Sequence, residues 1–251
     1  MIIQIIGIPG SGKTTLATKL SSRINAIHVN ADYVRSTINS DLGFSIEDRV
    51  ENARRLGAIA RMLSEQGQVV VVDFVCPTEK TRDVFGKPDI LIWMDRIKEG
   101  RFEDTNKLWE DPILYDESFD STIESEDRVQ YIIDKYNLPD WKAPTTLMLG
   151  RYQPWHEGHH ALYFEAKKRT EQVVLGVRDT QGTSEKDPLS YEEVRGYIGK
   201  DASLNSAFVI KMPNITNIVY GRDVGYKIEQ VGLDKNIEAI SATQKRKDLG
   251  I

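Results

Sequence analysis

The sequence has a single cysteine, Cys76, so no disulfide can form within the chain, and this scarcity is typical of a reducing compartment. It also lacks any apolar run near the ~20 residues that a transmembrane helix needs. The opening MIIQIIGI is apolar, but it has no basic start and runs into a glycine-rich loop. It therefore predicts a first strand rather than a signal peptide, and we expect a cytoplasmic protein with no membrane contact.

An excess of positive charge is absent too, because the formal net charge is −5. Residues 143–251 hold 15 of the 33 Lys and Arg and 14 of the 38 Asp and Glu. Residues 1–142 therefore carry 18 basic against 24 acidic side chains. A general nucleic-acid coat needs a basic surface, so nucleic acid is not an expected partner. The composition leaves a homo-oligomer open.

Strands and helices alternate in two series, and each series begins with a strand that leads into a glycine-containing motif. The uninterrupted apolar runs QVVVVDF and DILIWMD are typical of parallel strands covered on both faces. The pattern restarts at TTLMLG, after YNLPDWKAPTT, and NIEAIS is expected to be the last strand before a terminal helix. The sequence thus predicts an α/β protein with two doubly wound parallel-sheet domains, residues 1–139 and 145–251, joined by a linker at 140–144.

The first motif, GIPGSGKT, fits GxxxxGK(S/T) between a predicted strand and a helix, which is the context that a phosphate-binding loop requires. Its glycines let backbone N–H groups turn toward a phosphate, and the helix N-terminus adds partial positive charge. We expect Lys13 to reach the β- and γ-phosphates of ATP as a catalytic residue, and Thr14 to hold Mg²⁺. The predicted ATP-binding residues are Gly7, Gly10, Ser11, Gly12, Lys13, Thr14 and Thr15.

The segment VNADYVRSTINSDLGFSIEDRVENARR resembles the substrate segment of adenylylsulfate (APS) kinases, whose pattern is roughly DGDxxR…DLGFSxxDRxEN. The resemblance covers about residues 1–95 and implies a P-loop NTPase fold that transfers phosphoryl groups from ATP to adenylylsulfate. It implies that Phe44 stacks on the adenine of the acceptor, that Asn52 hydrogen-bonds this base, and that Arg35 and Arg49 grip the phosphosulfate. Two arginine forks suit an anion on physical grounds as well, although Arg49 also fits an ordinary solvated helix face.

Three departures from this pattern affect the expectations. Asn30 stands where the pattern has its first acid, which leaves Asp32 as the expected catalytic base or metal partner. Cys76 replaces a serine in DFVCP and is expected to be a small buried residue. The basic lid of the family is replaced by the acidic stretch RFEDTNKLWEDP, residues 101–112, whose Trp109 either stacks on a base or packs.

The second motif is GRYQPWHEGHH, which follows a predicted strand and opens a helix. It resembles the GRFQPFHxGH signature of HxGH nucleotidyltransferases, especially the NMN adenylyltransferases, and the resemblance covers most of residues 145–251. It implies a Rossmann-like fold that transfers a nucleotidyl group from ATP or CTP to a phosphate-bearing acceptor such as NMN. His156 and His159 would then act as catalytic residues that stabilise the triphosphate as pyrophosphate leaves.

Two further segments extend this resemblance. ISATQKR is similar to the ISxTxxR element that clamps the β- and γ-phosphates, and NITNIVYGRDVGY is the stretch that would choose the second substrate. Zinc is not favoured, because no third ligand stands at a familiar spacing from the histidines. The nucleotide-binding residues implied for the second half are Gly150, Arg151, His156, Gly158, His159, Ser241, Thr243 and Arg246.

The favoured hypothesis is a bifunctional enzyme whose two halves both use nucleoside triphosphates, Mg²⁺ and small-molecule nucleotides. Its variants are a fusion that makes activated sulfate and a fusion that salvages NAD. One rival is a polynucleotide 5′-kinase or repair module, because VNADYVR also resembles that family. Another is a nucleotide-binding regulator with degenerate sites, which Asn30 and the altered lid favour.

Overall fold

The chain divides into two compact units, Met1–Lys142 and Ala143–Ile251, and the division falls inside the predicted linker at 140–144. The computed structural model describes residues 1–120, 124–204, 207–219, 221–222, 225, 227–238, 240 and 242–250. Over these ranges, no helix is both long and apolar enough to span a bilayer.

The first unit is built on five parallel strands. They are β1 (Ile2–Ile6), β2 (Ile27–Asn30), β3 (Val70–Asp73), β4 (Ile90–Trp93) and β5 (Glu117–Ser118). The helices are α1 (Lys13–Ile24), α2 (Ala31–Thr37), α3 (Ile46–Glu65), α4 (Glu79–Phe85), α5 (Glu103–Leu108) and α6 (Ser125–Lys135). The strand order in the sheet is β2-β3-β1-β4-β5.

Helices cover both faces of this sheet, because successive side chains of the central strand β1 point to opposite sides. Ile3 and Ile5 pack with side chains of α1 and α6 on one face. Ile2 and Ile6 pack on the other face with side chains of α3 and with Phe85 of α4. Each fully buried isoleucine of this kind contributes about 1.5–3 kcal/mol. The predicted doubly wound architecture is therefore confirmed for the first unit.

The second unit is built on a smaller parallel sheet in the order β6-β7-β8. Its strands are β6 (Thr145–Gly150), β7 (Gln172–Arg178) and β8 (Ala207–Met212). Its helices are α7 (Glu157–Lys167), α8 (Tyr191–Gly199), α9 (Lys235–Glu238) and α10 (Ala242–Leu249).

In the described part of the second unit, α7 and α8 cover the same face of the sheet. Val173, Leu175 and Val177 of β7 point to this face and share one core with Tyr163 of α7 and Val194 of α8. Strands that add in chain order, joined by right-handed crossovers, place both connecting helices on one side. The described residues of this unit therefore do not confirm the predicted doubly wound sheet.

The opposite face of the second sheet is partly open, with Leu147 and Leu149 exposed by 49% and 39%. The predicted last strand, NIEAIS, is wrong, because Lys235–Glu238 form the helix α9. Ile237 and Ile240 are three residues apart, and Ile240 N donates to the Ile237 carbonyl at 3.0 Å. This spacing fits a helical turn better than an alternating strand.

Candidate functional site

The loop between β1 and α1 has the backbone shape of an anion cradle. Gly7, Gly10 and Gly12 have φ angles of 149°, 95° and 95°, a region that favours glycine. A Cβ on Gly7 would lie 2.7 Å from the carbonyl oxygen of Met94, so a side chain has no room there. Ser11 is buried in the loop, and its Oγ finds no hydrogen-bond partner among the described residues. The loop therefore keeps space and polar groups for a phosphate.

Lys13 and Thr14 follow this loop as the first residues of α1. The Lys13 side chain is 8% exposed, and its Nζ donates to the Ile8 carbonyl at 3.0 Å. Burial lowers the pKa of Lys13 to about 8, against the opposing charges of Asp73 and Asp32. Thr14 Oγ1 donates to Asp73 Oδ2 at 2.6 Å. The two residues that the motif assigns to phosphate and magnesium thus lie next to one buried carboxylate.

Asp73 belongs to this site, although the sequence patterns did not single it out. It ends β3 and is 2% exposed. Burial alone would raise the pKa of Asp73, but hydrogen bonds from His28, Thr14 and Asn30 outweigh it and hold the pKa below its ordinary value. The sequence feature that could have identified Asp73 is its position as the one carboxylate at the end of the apolar run VVVD. Thr15, the last predicted ATP-binding residue, is exposed on α1.

Phe44 and two arginines form the expected acceptor surface. Phe44 is 67% exposed, and the guanidinium carbons of Arg35 and Arg49 lie 4.8 and 5.7 Å from its ring centroid. Arg35 donates to the Gly43 carbonyl, and Arg49 Nε donates to the Phe44 carbonyl at 3.0 Å. An exposed aromatic ring with two cations close to it suits a flat ring that carries an anionic group.

The acidic stretch at 101–112 contacts this surface through α5. Arg49 Nη2 lies 2.7 Å from Asp104 Oδ2 and donates to Thr105 Oγ1 at 3.2 Å. Trp109 is partly buried against a core of the first unit, and its Nε1 donates to Asp111 at 2.7 Å. Trp109 therefore packs in this structure, and the acidic side chain of Asp104 pairs with one of the two arginines that are expected to bind the acceptor.

Three other predicted residues lie in different surroundings. Asn52 is 4% exposed, and its Oδ1 accepts from Asn39 Nδ2 at 2.9 Å, so it faces the protein interior. Asp32 is exposed in the first turn of α2. Cys76 is 1% exposed, and burial raises the pKa of its thiol to about 12. A thiol in that environment is a poor nucleophile, as the expected structural role requires.

In the second unit, two histidines stack at the N-terminus of α7. Their ring centroids are 3.8 Å apart, and His156 Nδ1 accepts from the Gly158 backbone N–H at 3.1 Å. Burial lowers the pKa of His156, and burial, with a smaller contribution from the adjacent His156, lowers the pKa of His159 to about 3. His159 Nδ1 is buried without a hydrogen-bond partner in the described ranges. Both rings are therefore neutral at pH 7.

Helix α10 lies against the histidine loop. Arg246 Nη1 donates to the Gln153 carbonyl at 2.9 Å, and its Nη2 donates to Thr243 Oγ1 at 3.1 Å. Gly150 ends β6, and the next residue, Arg151, pairs with Asp187 at 3.0 Å. Ser241 lies outside the described residues. The fold thus brings Thr243 and Arg246 next to the loop, although 90 residues separate Gln153 from Thr243.

A cavity of about 360 Å³ lies at the carboxyl ends of β6, β7 and β8. Gly150, Arg178, Met212 and Asn217 are among the residues that line it. Arg178 Nε is buried and has no hydrogen-bond partner among the described residues. Open α/β sheets bind their ligands at this edge. The sequence patterns missed Arg178, and its signal was a basic residue at the end of QVVLGVR.

Comparison with known proteins identifies relatives of the first unit. A family model described as adenylylsulphate kinase matches residues 1–88. Adenylyl-sulfate kinase from Bacillus licheniformis is 30% identical over 151 residues, which cover 53% of this chain and 75% of that protein. Adenylyl-sulfate kinase 3 from Arabidopsis thaliana is 39% identical over 87 residues, 33% of this chain.

The chain spans only part of some of these relatives, with 42% of the Arabidopsis protein covered. Among solved structures, the Mycobacterium tuberculosis APS kinase in complex with AMPPNP and APS has a TM-score of 0.47 and 22% identity. That alignment covers 53% of this chain and 95% of the other.

Proposed function

We infer a kinase function for the first unit, because the chain belongs to the adenylyl-sulfate kinase family. The proposed reaction is transfer of the γ-phosphoryl group of ATP to a hydroxyl of a small nucleotide-like acceptor, with adenylylsulfate as the best candidate. The observation that carries this proposal is the exposed ring of Phe44 with Arg35 and Arg49 close to it, in the same unit as the phosphate-binding loop. The ring suits a base, and the guanidinium groups suit an anion attached to it.

The reaction breaks the bond between the bridging oxygen and the γ-phosphorus of ATP, and it forms a bond from the acceptor oxygen to that phosphorus. ADP leaves, and the hydroxyl proton passes to a base. Lys13 would place its charge on the phosphates, where negative charge is concentrated during transfer. Asp32 is the proposed base, because it is an exposed carboxylate in the first turn of α2.

Magnesium fits this site by its donor chemistry. The Thr14 hydroxyl and the Asp73 carboxylate present two oxygen atoms 2.6 Å apart, and Mg²⁺ prefers such hard oxygen ligands. Thr14 is the proposed protein ligand. The ion would supply neutralisation of the phosphate charge when bound.

The kinase proposal is tested by incubating the full chain with ATP, Mg²⁺ and adenylylsulfate, followed by mass detection of products. We expect ADP and a phosphorylated adenylylsulfate in equal amounts. Parallel reactions with NMN, phosphosugars and a 5′-OH oligonucleotide identify the acceptor. Turnover of the oligonucleotide with no turnover of adenylylsulfate would favour a polynucleotide kinase. Nucleotide binding without product from any acceptor would favour a regulator. The ion pair between Asp104 and Arg49 is compatible with that outcome, because it occupies an arginine that an acceptor would need.

For the second unit we propose nucleotidyl transfer from ATP or CTP to a phosphate-bearing acceptor, with NMN as the best candidate. An oxygen of the acceptor phosphate attacks the α-phosphorus, the bond to the bridging oxygen breaks, and pyrophosphate leaves. The supporting observation is that α10 brings Arg246 to the loop of His156 and His159. Stacked rings at a helix N-terminus beside an arginine suit a triphosphate.

The acceptor is proposed to occupy the cavity at the carboxyl ends of β6, β7 and β8. Arg178, whose Nε has no partner among the described residues, would meet its phosphate. The test is pyrophosphate release from ATP or CTP in the presence of NMN or phosphosugars, with mass detection of the dinucleotide. Pyrophosphate release that needs no acceptor would contradict this proposal.

A further inference from the structure

The end of β3 offers a carboxylate where the end of its neighbour β2 lacks one. Asp73 and Asn30 are register partners in the parallel pairing of the two strands. Asn30 stands where the adenylylsulfate kinase pattern has an acid, and that departure alone suggested a degenerate site. Across the ladder, however, the amide and the carboxylate lie side by side at the same edge of the sheet.

The Asp73 carboxylate is held by three donor side chains, two on β2 and one on α1. Asn30 Nδ2 donates to its two oxygens at 3.1 and 3.3 Å, and Thr14 Oγ1 donates to Oδ2 at 2.6 Å. His28 Nε2 donates to Oδ1 at 2.7 Å, since a carboxylate only accepts. A carboxylate with this many donors has a fixed orientation, with Oδ2 directed at the hydroxyl that the phosphate-binding loop presents.

The same geometry explains why Asn30 is an amide. A second carboxylate at that position would approach the oxygens of Asp73 to about 3 Å, and two like charges so close cannot both stay ionised. An amide removes the repulsion and adds a donor. One acid and one amide are therefore a matched pair, and Asp73 occupies the position nearer to Thr14.

We propose that Asp73 provides the carboxylate that the phosphoryl-transfer site needs next to Mg²⁺. In this chain it takes the place of the acid that the family pattern has at the position of Asn30. His28 is a positioning residue, which acts on the ion and the phosphates only through Asp73. The inference rests on the proposed kinase function for its biological meaning, but it concerns binding of the Mg²⁺–nucleotide and can be measured without turnover.

The test is the affinity of the full chain for a fluorescent ATP analogue, with and without Mg²⁺. We expect Mg²⁺ to tighten binding to the wild type, and Asp73→Asn to reduce that tightening by roughly 10–100-fold while metal-free binding is retained. The exchanged variant, Asn30→Asp with Asp73→Asn, should recover most of the loss, because it returns one acid to the pair. Asp83→Asn removes an exposed carboxylate on α4 and is the matched control.

His28 is tested in the same assay. His28→Leu removes the donor and should weaken the Mg²⁺-dependent tightening by about tenfold, whereas His28→Gln keeps an N–H donor and should recover part of it. A merely structural histidine would lower the melting temperature in both variants and leave the Mg²⁺ dependence of binding unchanged. Unchanged Mg²⁺ dependence in folded His28→Leu would overturn the positioning role.

The results separate this inference from the kinase proposal. Full Mg²⁺-dependent tightening in folded Asp73→Asn, or no recovery in the folded exchanged variant, would overturn the inference even if the wild type phosphorylates adenylylsulfate. Loss on Asp73→Asn with recovery on exchange supports it, even if no acceptor is ever phosphorylated and the kinase proposal fails.

Discussion

In each unit a parallel strand is followed by a glycine-containing loop and a helix, yet the polar groups beside the two loops differ in their hydrogen bonding. In the first unit the cation and the hydroxyl already have partners, Lys13 with the Ile8 carbonyl and Thr14 with Asp73. In the second unit, His159 Nδ1 and Arg178 Nε are buried without hydrogen-bond partners in the described ranges. Buried polar atoms are normally satisfied, so the second site has two such atoms for a ligand to complete, whereas the phosphate-binding loop of the first has Ser11 Oγ.

The sheets that carry these loops differ as well. The first sheet is buried on both faces by two separate cores, whereas the described part of the second has one core and an open face that exposes Leu147 and Leu149. A loop at the end of a strand is only as rigid as the sheet that holds the strand. The comparison therefore predicts a rigid kinase site and a second site that depends more on its ligand.

Replacement of Lys13 should have the largest effect, and it should be confined to one unit. Lys13→Ala removes the buried charge that faces the phosphates, so we expect phosphoryl transfer to fall by roughly a thousandfold. The nucleotidyl transfer proposed for the second unit should keep its wild-type rate. Parallel assays of ADP formation and pyrophosphate release on the same preparation measure both effects.

Lys19→Ala is the matched control for this variant. Lys19 is on the same helix, but its Nζ donates to Ser125 of α6 and not to the phosphate-binding loop. It should leave phosphoryl transfer close to the wild-type rate. If Lys13→Ala also stops pyrophosphate release, the two sites are not independent, and the comparison between them fails.

Replacement of His159 is the reciprocal change, with a smaller expected effect. His159→Ala removes one of two stacked rings, and Arg246 still faces the loop, so we expect the proposed nucleotidyl transfer to fall by about a hundredfold. ADP formation by the first unit should be unaffected. The readout is pyrophosphate release at saturating acceptor.

His160→Ala serves as the control here, since His160 Nε2 lies 2.8 Å from Ser203 Oγ, outside the stacked pair. The control should retain most of the transferase rate. Equal losses in the two variants would mean that α7 as a whole, rather than the ring of His159, is needed.

The sequence was most informative where one short segment decides the outcome. GIPGSGKT predicted the loop because its glycines and its position before a helix are local features, and the apolar runs predicted β3 and β4 for the same reason. Asp73 was missed because its role depends on pairing with Asn30, which is 43 residues away. The burial of Asn52 likewise depends on Asn39, which belongs to a different turn of the chain.

The second unit shows the same limit at the level of the fold. Periodicity assigns a segment to a helix or a strand, but it does not tell on which side of the sheet the next strand adds. The order β6-β7-β8 adds every strand on one side, so its two helices share a face, which no local pattern reveals. The four-residue helix α9 was missed because one helical turn is too short to show its period.

Two glycines on helices test the difference in packing between the units. A Cβ on Gly57 of α3 would lie 2.2 Å from the Phe85 carbonyl oxygen, so Gly57→Ala must push α3 away from α4. We expect a loss of about 2 kcal/mol in the stability of the first unit. Hydrogen exchange of peptides from each unit, followed by mass spectrometry, assigns the loss to one of them.

Gly196 in α8 is the matched position in the second unit, because no atom lies within 4 Å of the Cβ that alanine would add. Gly196→Ala should stabilise this unit by about 0.5–1 kcal/mol through helix propensity alone. Destabilisation by Gly196→Ala, or tolerance of Gly57→Ala, would contradict the inference that the first unit is packed more tightly than the second.

The smallest expected effect is a pH dependence of stability that the two units do not share. His159 has a folded pKa of about 3, below its ordinary value of 6.5, so below pH 6.5 the unfolded chain takes up a proton that the folded chain does not. The contribution of neutral His159 to the stability of the folded state is therefore complete above pH 6.5, and it is lost as the pH falls toward 3. For Lys13 the folded pKa of about 8 lies below 10.5, so its contribution changes only in the alkaline range.

Between pH 6.5 and 5, therefore, His159 of the second unit takes up a proton in the unfolded state, whereas Lys13 of the first unit does not change its charge in either state. We expect the free energy of unfolding of the second unit to fall by about 1 kcal/mol over this range. One proton taken up over 1.5 pH units can change it by at most about 2 kcal/mol. His159→Gln should flatten this slope, because its amide stays neutral in both states. The measurement is hydrogen exchange by unit at the two pH values, corrected for intrinsic exchange rates. An equal slope in the glutamine variant would mean that His159 is not held neutral by burial, and that the second site begins, like the first, with a charged group.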